Sequence, residues 1–194
     1  MEKPKVLIIT GYGVNCEAES AHAWKLAGAE PKLVHLNDLL DHPAQLEEFQ
    51  AMMFIGGFSY GDDIAAGRVL GLELRHGMYA ELRSFIEAGG LVLGICNGFQ
   101  VLVRLGLLPC TKGTLEEEVT LTHNLSNHYE CRWVTLKTRK SRCAFLPEGL
   151  TLRWPAAHGE GRLIATSPEA QRTLNDEGFA AVCYVDEQGD ATED

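Results

Sequence analysis

The chain has 194 residues, 45% apolar and 23% charged, enough for one sizeable domain with its own core. Seventeen basic residues against 27 acidic ones give a net charge of −10, which disfavours nucleic acid or an anionic membrane surface as a partner. No apolar run reaches transmembrane length, and the opening residues run directly into a strand-like segment. Six scattered cysteines contain no C-x-x-C pair, so neither a zinc site nor a thioredoxin-type pair is expected, and the thiols fit a reducing cytoplasm.

The first half alternates strand and helix patterns. Val6-Leu7-Ile8-Ile9 reads as a buried parallel strand, ended by Gly11 and Gly13. A helix is predicted from Cys16 to Ala27, closed by Gly28, and a second strand from Pro31 to Leu36. Leu46 to Phe49 reads as a helical turn, and Met52 to Ile55 as a third strand, followed by a glycine-rich loop through Gly67. Leu70 to Ala88 reads as one long helix with an apolar face. Leu91 to Ile95 is a fourth, buried strand, and Gly98 to Leu105 a helix closed by Gly106. This order predicts an α/β fold with a doubly wound, mostly parallel sheet, whose functional loops lie at the carboxyl ends of the strands.

The second half changes character. Tyr129–Lys137, Thr151–Ala156, Arg162–Ala165 and Phe179–Val185 read as shorter strands, added antiparallel or as a flap. With no linker or repeat, residues 1–194 read as a single domain. The acidic run Glu116-Glu117-Glu118 and the basic run Thr138 to Arg142 read as solvated segments.

One cysteine has surroundings suited to chemistry. Gly94-Ile95-Cys96-Asn97-Gly98 joins a strand to a helix, the pattern of a nucleophile elbow. A helix start favours thiolate over thiol, and the Asn97 N–H stands where an oxyanion would develop. Gly56-Gly57-Phe58-Ser59-Tyr60-Gly61-Asp62 leaves the third strand at the same end, and the Gly57 N–H is the natural second donor. A base must accept the thiol proton. Two His-x-Glu triplets qualify by spacing, His128-Tyr129-Glu130 and His158-Gly159-Glu160, and the second lies in a glycine-rich loop. His128 reads as a strand-face residue; the remaining histidines carry no constellation.

These two loops, with Gly13-Val14-Asn15-Cys16-Glu17, Gly106-Leu107-Leu108-Pro109 and Ala157-His158-Gly159-Glu160-Gly161-Arg162, resemble the class I glutamine amidotransferases. More narrowly they resemble the glutaminase subunits and domains of phosphoribosylformylglycinamidine synthases of purine biosynthesis. The resemblance implies a flavodoxin-like fold in which Cys96 attacks glutamine and forms a thioester, with Gly57 and Asn97 as the oxyanion hole. It implies that Gln100 and Phe58 bind glutamine, and that the released ammonia passes to a synthetase subunit, with a small accessory subunit as a further partner. It implies no metal or cofactor in this subunit, ATP and magnesium belonging to the synthetase. In the family the catalytic acid–base pair is a His-Pro-Glu in a further C-terminal segment, absent here, so the domain is expected to lack that segment. His158 and Glu160 then stand either as base and orienter or as a substrate or interface loop. The rivals are a glyoxalase/deglycase-like cysteine hydrolase on the same fold and a glutaminase-like subunit without catalysis.

Overall fold

In the computed structural model, residues 2–192 are described, and the chain forms two compact units, Met1–Leu107 and Leu108–Asp194.

The first unit is built on four parallel strands: β1 (Lys5–Thr10), β2 (Glu30–His35), β3 (Ala51–Phe54) and β4 (Leu91–Gly94), in the order β2-β1-β3-β4. Val6, Leu7 and Ile8 are fully buried and Ile9 nearly so, as a continuous apolar run in a parallel sheet requires. Val6, Ile8, Ala51 and Met53 share one face, and Trp24 of α1 (Glu17–Leu26) packs there, its indole N–H 3.0 Å from Met53 Sδ. On the other face α5 (Asn97–Leu105) packs against β3 and β4, burying Val101, Leu102 and Leu105.

The expected helices appear with two differences. A short helix, α2 (Leu36–Asp41), follows β2 directly, with Leu36 and Leu39 fully buried. His35 starts it, its Nδ1 accepting the Asn37 N–H at 3.1 Å. The predicted long helix is two, α3 (Arg68–Gly77) and α4 (Tyr79–Glu87), broken at Met78, which is extended in φ at −153°. The break follows Gly77, a poor helix former whose missing Cβ lets Leu40 approach. A further correction concerns β4. It pairs only with β3 among the described strands and exposes Leu91, so it is an edge strand; Ile95, just after it, is exposed too.

The second unit holds two antiparallel sheets: β5 (Val119–Thr122) with β8 (Arg162–Ala165), and β6 (Glu130–Thr138) between β7 (Thr151–His158) and β9 (Val182–Tyr184). A helix not anticipated, α6 (Pro168–Asp176), follows β8, capped by Ser167, whose Oγ accepts the Ala170 N–H at 3.1 Å. The acidic run is not all solvated. Glu118 is buried and its carboxylate takes the N–H of Thr111 at 2.7 Å and the hydroxyl of the same residue. His128 lies in the turn before β6, not on a strand face. No helix among the described residues is long and apolar enough to cross a membrane.

Candidate active site

Three loops leave the carboxyl ends of β1, β3 and β4. β1 and β3 are neighbours whose connections run to opposite sides of the sheet order, the place where doubly wound folds form a crevice. The loops after them are stitched together by an isolated antiparallel bridge, Val14 to Gly57. Asn15 N–H donates to Gly56 O at 3.2 Å and Phe58 N–H to Gly13 O at 2.8 Å. Those bonds flank Gly57, so its own N–H takes no part in the bridge. Gly57 has φ +136°, and a Cβ on it would lie 2.6 Å from Val14 Cα and 2.7 Å from Gly13 O. Only glycine suits this close approach.

Cys96 sits on a tight turn from β4 into α5. Gly98 N–H donates to Ile95 O at 2.9 Å across the turn, and Cys96 has φ +54° and ψ −115°. These are first-corner values of a type II′ turn, a position glycine normally takes. A side chain held there costs about 1–3 kcal/mol, strain that recurs where geometry serves a reaction. The flanking glycines have packing reasons. A Cβ on Gly94 would lie 2.6 Å from Leu102 Cδ1, and one on Gly98 would overlap the Phe54 carbonyl. The Cys96 side of the turn is exposed. Asn97 is the first residue of α5, so its N–H has no acceptor within the helix. The elbow therefore combines an exposed thiol, a helix start and a nearby orphan N–H.

The Asn97 side chain, 1% exposed, fastens the elbow to the glycine loop. Its Oδ1 accepts Ser59 N–H at 3.1 Å, and its Nδ2 donates to Asp62 Oδ1 at 3.0 Å and Gln100 Oε1 at 3.1 Å. Asp62 Oδ1 also takes the Gly67 N–H at 3.3 Å, ahead of α3. Tyr60 hydrogen-bonds through its hydroxyl to Glu73 of α3. Burial and that hydrogen bond push the Tyr60 hydroxyl well above the ordinary tyrosine range. Phe58 stands out from the loop, 57% exposed. The structure thus brings Cys96, Gly57, Asn97, Gln100 and Phe58 into one unit, on the loop after β3 and on the elbow with the first turn of α5, cross-tied by hydrogen bonds.

A second thiol comes close. A Cβ on Gly56 would be 3.4 Å from both Cys16 Sγ and Cys96 Cβ, so the two cysteines flank that glycine. Burial, and then the charges of Glu19, Cys96 and Glu17, push the Cys16 thiol up from its ordinary value.

His158 and Glu160 lie in the second unit. His158 ends β7, and its Nδ1 is 3.0 Å from Asn124 Oδ1. The Glu160 carboxylate lies 4.0 Å from His123 Nδ1. Sequence reasoning gave no role to Asp62 or Asn124. Asp62 stood within a motif that pointed to it, whereas nothing around Asn124 did. Among the described residues no group of three or more His, Cys, Asp or Glu side chains could hold a metal ion.

A cysteine elbow at the carboxyl end of a doubly wound parallel sheet is an arrangement that suits a cysteine-dependent amide hydrolase, and the chain belongs to the CobB/CobQ-like glutamine amidotransferase domain family, which it matches over residues 3–194. It is 46% identical over 192 residues to phosphoribosylformylglycinamidine synthase subunit PurQ of Dehalococcoides mccartyi, spanning 97% of this chain and 72% of that one. The PurQ subunit of Methanococcus maripaludis is 41% identical over 190 residues, spanning 97% and 70%. The structure of PurLQS from Thermotoga maritima is similar with a TM-score of 0.72 and 29% identity, covering 96% of this chain and 76% of that one. A second Thermotoga maritima glutamine amidotransferase, at TM-score 0.53 and 16% identity over 85% and 64% of the two chains, shares the fold.

Proposed function

We infer that the chain is the glutaminase component of phosphoribosylformylglycinamidine synthase, releasing ammonia from glutamine for a synthetase in purine biosynthesis. The relatives are PurQ subunits at 41–46% identity over 97% of the chain, which favours this reading over a carbonyl-directed cysteine hydrolase. The ligase activity belongs to the complex.

The observation that carries the assignment of Cys96 is its backbone: a strained, exposed position at the first turn of α5. In the mechanism we propose, the Cys96 sulfur attacks the side-chain amide carbon of glutamine. Negative charge moves to the amide oxygen, held by the N–H groups of Gly57 and Asn97. Collapse breaks the C–N bond, and ammonia leaves carrying the proton given up by the Cys96 thiol. Water then attacks the thioester, giving glutamate and restoring the thiol. Gln100 and Phe58 hold glutamine at the elbow. The segment His158 to Arg162 we assign to contact with substrate or partner, as the resemblance implies; His158 Nδ1 lies 3.0 Å from Asn124 Oδ1 and the Glu160 carboxylate 4.0 Å from His123 Nδ1. The subunit works without its own cofactor, ATP and magnesium serving the synthetase. A PurL-type synthetase subunit and a PurS-type small subunit are the partners, by similarity to the PurLQS assembly. The cytoplasm suits six free thiols.

The test is Cys96→Ser in the complex. Glutamine-dependent synthesis is lost while synthesis from added ammonia persists at the wild-type rate. Retained glutamine-dependent synthesis would remove Cys96 from the mechanism.

A further inference from the structure

Cys16 and Cys96 are the only cysteines of the first unit, and both are fastened to the carboxyl end of β3. Asn15 N–H donates to Gly56 O at 3.2 Å and Val14 bridges Gly57, which holds the Cys16 turn there. Ile95 N–H donates to Phe54 O at 3.1 Å, which holds the elbow to the same strand. Between the two cysteines stands Gly56. A Cβ on it would be 3.4 Å from Cys16 Sγ and from Cys96 Cβ, so one methyl-sized space, left open by glycine, separates them. A disulfide needs its Cβ atoms about 4 Å apart and both sulfurs turned inward. The sulfurs turn about χ1, and the turn that carries Cys16 closes what distance is left. Little restrains the Cys16 side chain: it does not cap α1, and its hydrogen bond to Asn15 Oδ1 is long, at 3.5 Å.

The two thiols also differ as the halves of such a pair must. Cys96 is exposed and open to an oxidant in solution. Cys16 is partly buried, and burial, then Glu19, then Cys96 push its thiol up, so it keeps its proton and does not compete for that oxidant.

We propose that Cys16 is the resolving partner of Cys96: a peroxide oxidises Cys96, and Cys16 then closes a reversible disulfide across Gly56 that switches the elbow off and protects its sulfur from irreversible oxidation. In the first step the Cys96 sulfur attacks one peroxide oxygen and becomes a sulfenic acid. The O–O bond breaks, and the other oxygen leaves as water with the proton given up by the thiol. In the second step the Cys16 sulfur attacks the Cys96 sulfur. The S–O bond breaks, and the hydroxyl leaves with the Cys16 proton as a second water. The two thiols lose two electrons and the peroxide gains them; a dithiol reverses the bridge by exchange. The bridge itself is independent of glutamine chemistry. Only the loss of activity rests on Cys96 as the glutaminase nucleophile.

The test treats the reduced full chain with stoichiometric hydrogen peroxide, blocks the remaining thiols, and maps the unreduced peptides by mass spectrometry. The Cys16 peptide joined to the Cys96 peptide is the main linked pair expected, and dithiothreitol separates it. Glutaminase activity of the treated subunit in the complex falls with the extent of linkage and returns with dithiothreitol. Cys16→Ser has wild-type activity before treatment. After it, Cys96 goes on to the sulfinic acid and dithiothreitol no longer restores activity. Cys96 in the wild type oxidised to sulfinic acid as far as in Cys16→Ser, or linked to cysteines of the second unit as often as to Cys16, would overturn the pairing. Linkage with activity retained would overturn the switch. The Cys96→Ser complex, measured alongside, shows whether the functional reading has failed instead.

Discussion

Two thiols flank Gly56, and their surroundings set them apart. Cys96 is exposed on the turn that starts α5. The Cys16 thiol is pushed up by burial and by Glu19, and it donates to Asn15 Oδ1 at 3.5 Å. A raised thiol value means less thiolate at any given pH. Alkylation of the full chain at pH 7.5, followed by peptide mass spectrometry, should modify Cys96 well before Cys16. The Cys16 rate should climb only as the pH rises beyond the ordinary thiol value of 9.0. Equal rates at neutral pH would contradict the difference in environment. The Cys96 assignment was readable because strand, glycine, cysteine, glycine and helix is a local pattern. The proximity of Cys16 was not, since it depends on the pairing of two loops about forty residues apart in sequence, between Val14 and Gly57.

The elements that hold the elbow are loops braced by side chains, and each brace can be removed. Gly57 is closed in by main-chain atoms of Gly13 and Val14. Gly57→Ala must displace the loop and with it the proposed oxyanion donor, a loss of about a hundredfold or more in glutaminase turnover. Turnover near wild type would locate the donor elsewhere. Tyr60 ties the same loop to α3 through Glu73. Its folded hydroxyl value is raised above the unfolded one, so the stabilisation is complete below about pH 10 and is lost as the pH rises toward the folded value. Tyr60→Phe should cost about 1 kcal/mol in urea denaturation at pH 7, a difference that shrinks above pH 10. Local pattern accounted for every strand but β5 (Val119–Thr122), and for α1 and α5, where apolar runs and closing glycines agree. It gave no α2, because Leu36 and Leu39 bury themselves through tertiary packing that a six-residue segment does not advertise. The missed α6 did carry a signal, Ser167 as cap and Pro168 at the first helical position, in a segment too polar to stand out.

At the scale of the whole chain, each unit has its own core and its own buried polar anchor. In the first the anchor is Asn97; in the second it is Asn124 together with Glu118. Sequence reasoning found the first because its motif is short in sequence. It read Glu118 as solvated because two further glutamates precede it, and nothing in a run of three says which one turns inward. The inward one is chosen by Thr111, whose N–H and hydroxyl both meet the carboxylate, and by β8, since Thr166 N–H and Oγ1 reach the Glu118 carbonyl at 3.0 and 2.9 Å. The tryptophans allow this unit to be followed by itself: Trp24 belongs to the first unit, Trp133 and Trp154 to the second. In a Trp24→Phe background, fluorescence therefore reports the second unit alone. There Glu118→Ala removes the acceptor of two Thr111 donors, at a cost of about 2 kcal/mol. The urea midpoint of the fluorescence transition should fall accordingly, whereas Glu116→Ala, in the same run but exposed, should leave it within about 0.5 kcal/mol of its parent. Equal effects of the two substitutions would mean that all three glutamates are solvated, as their sequence alone suggests.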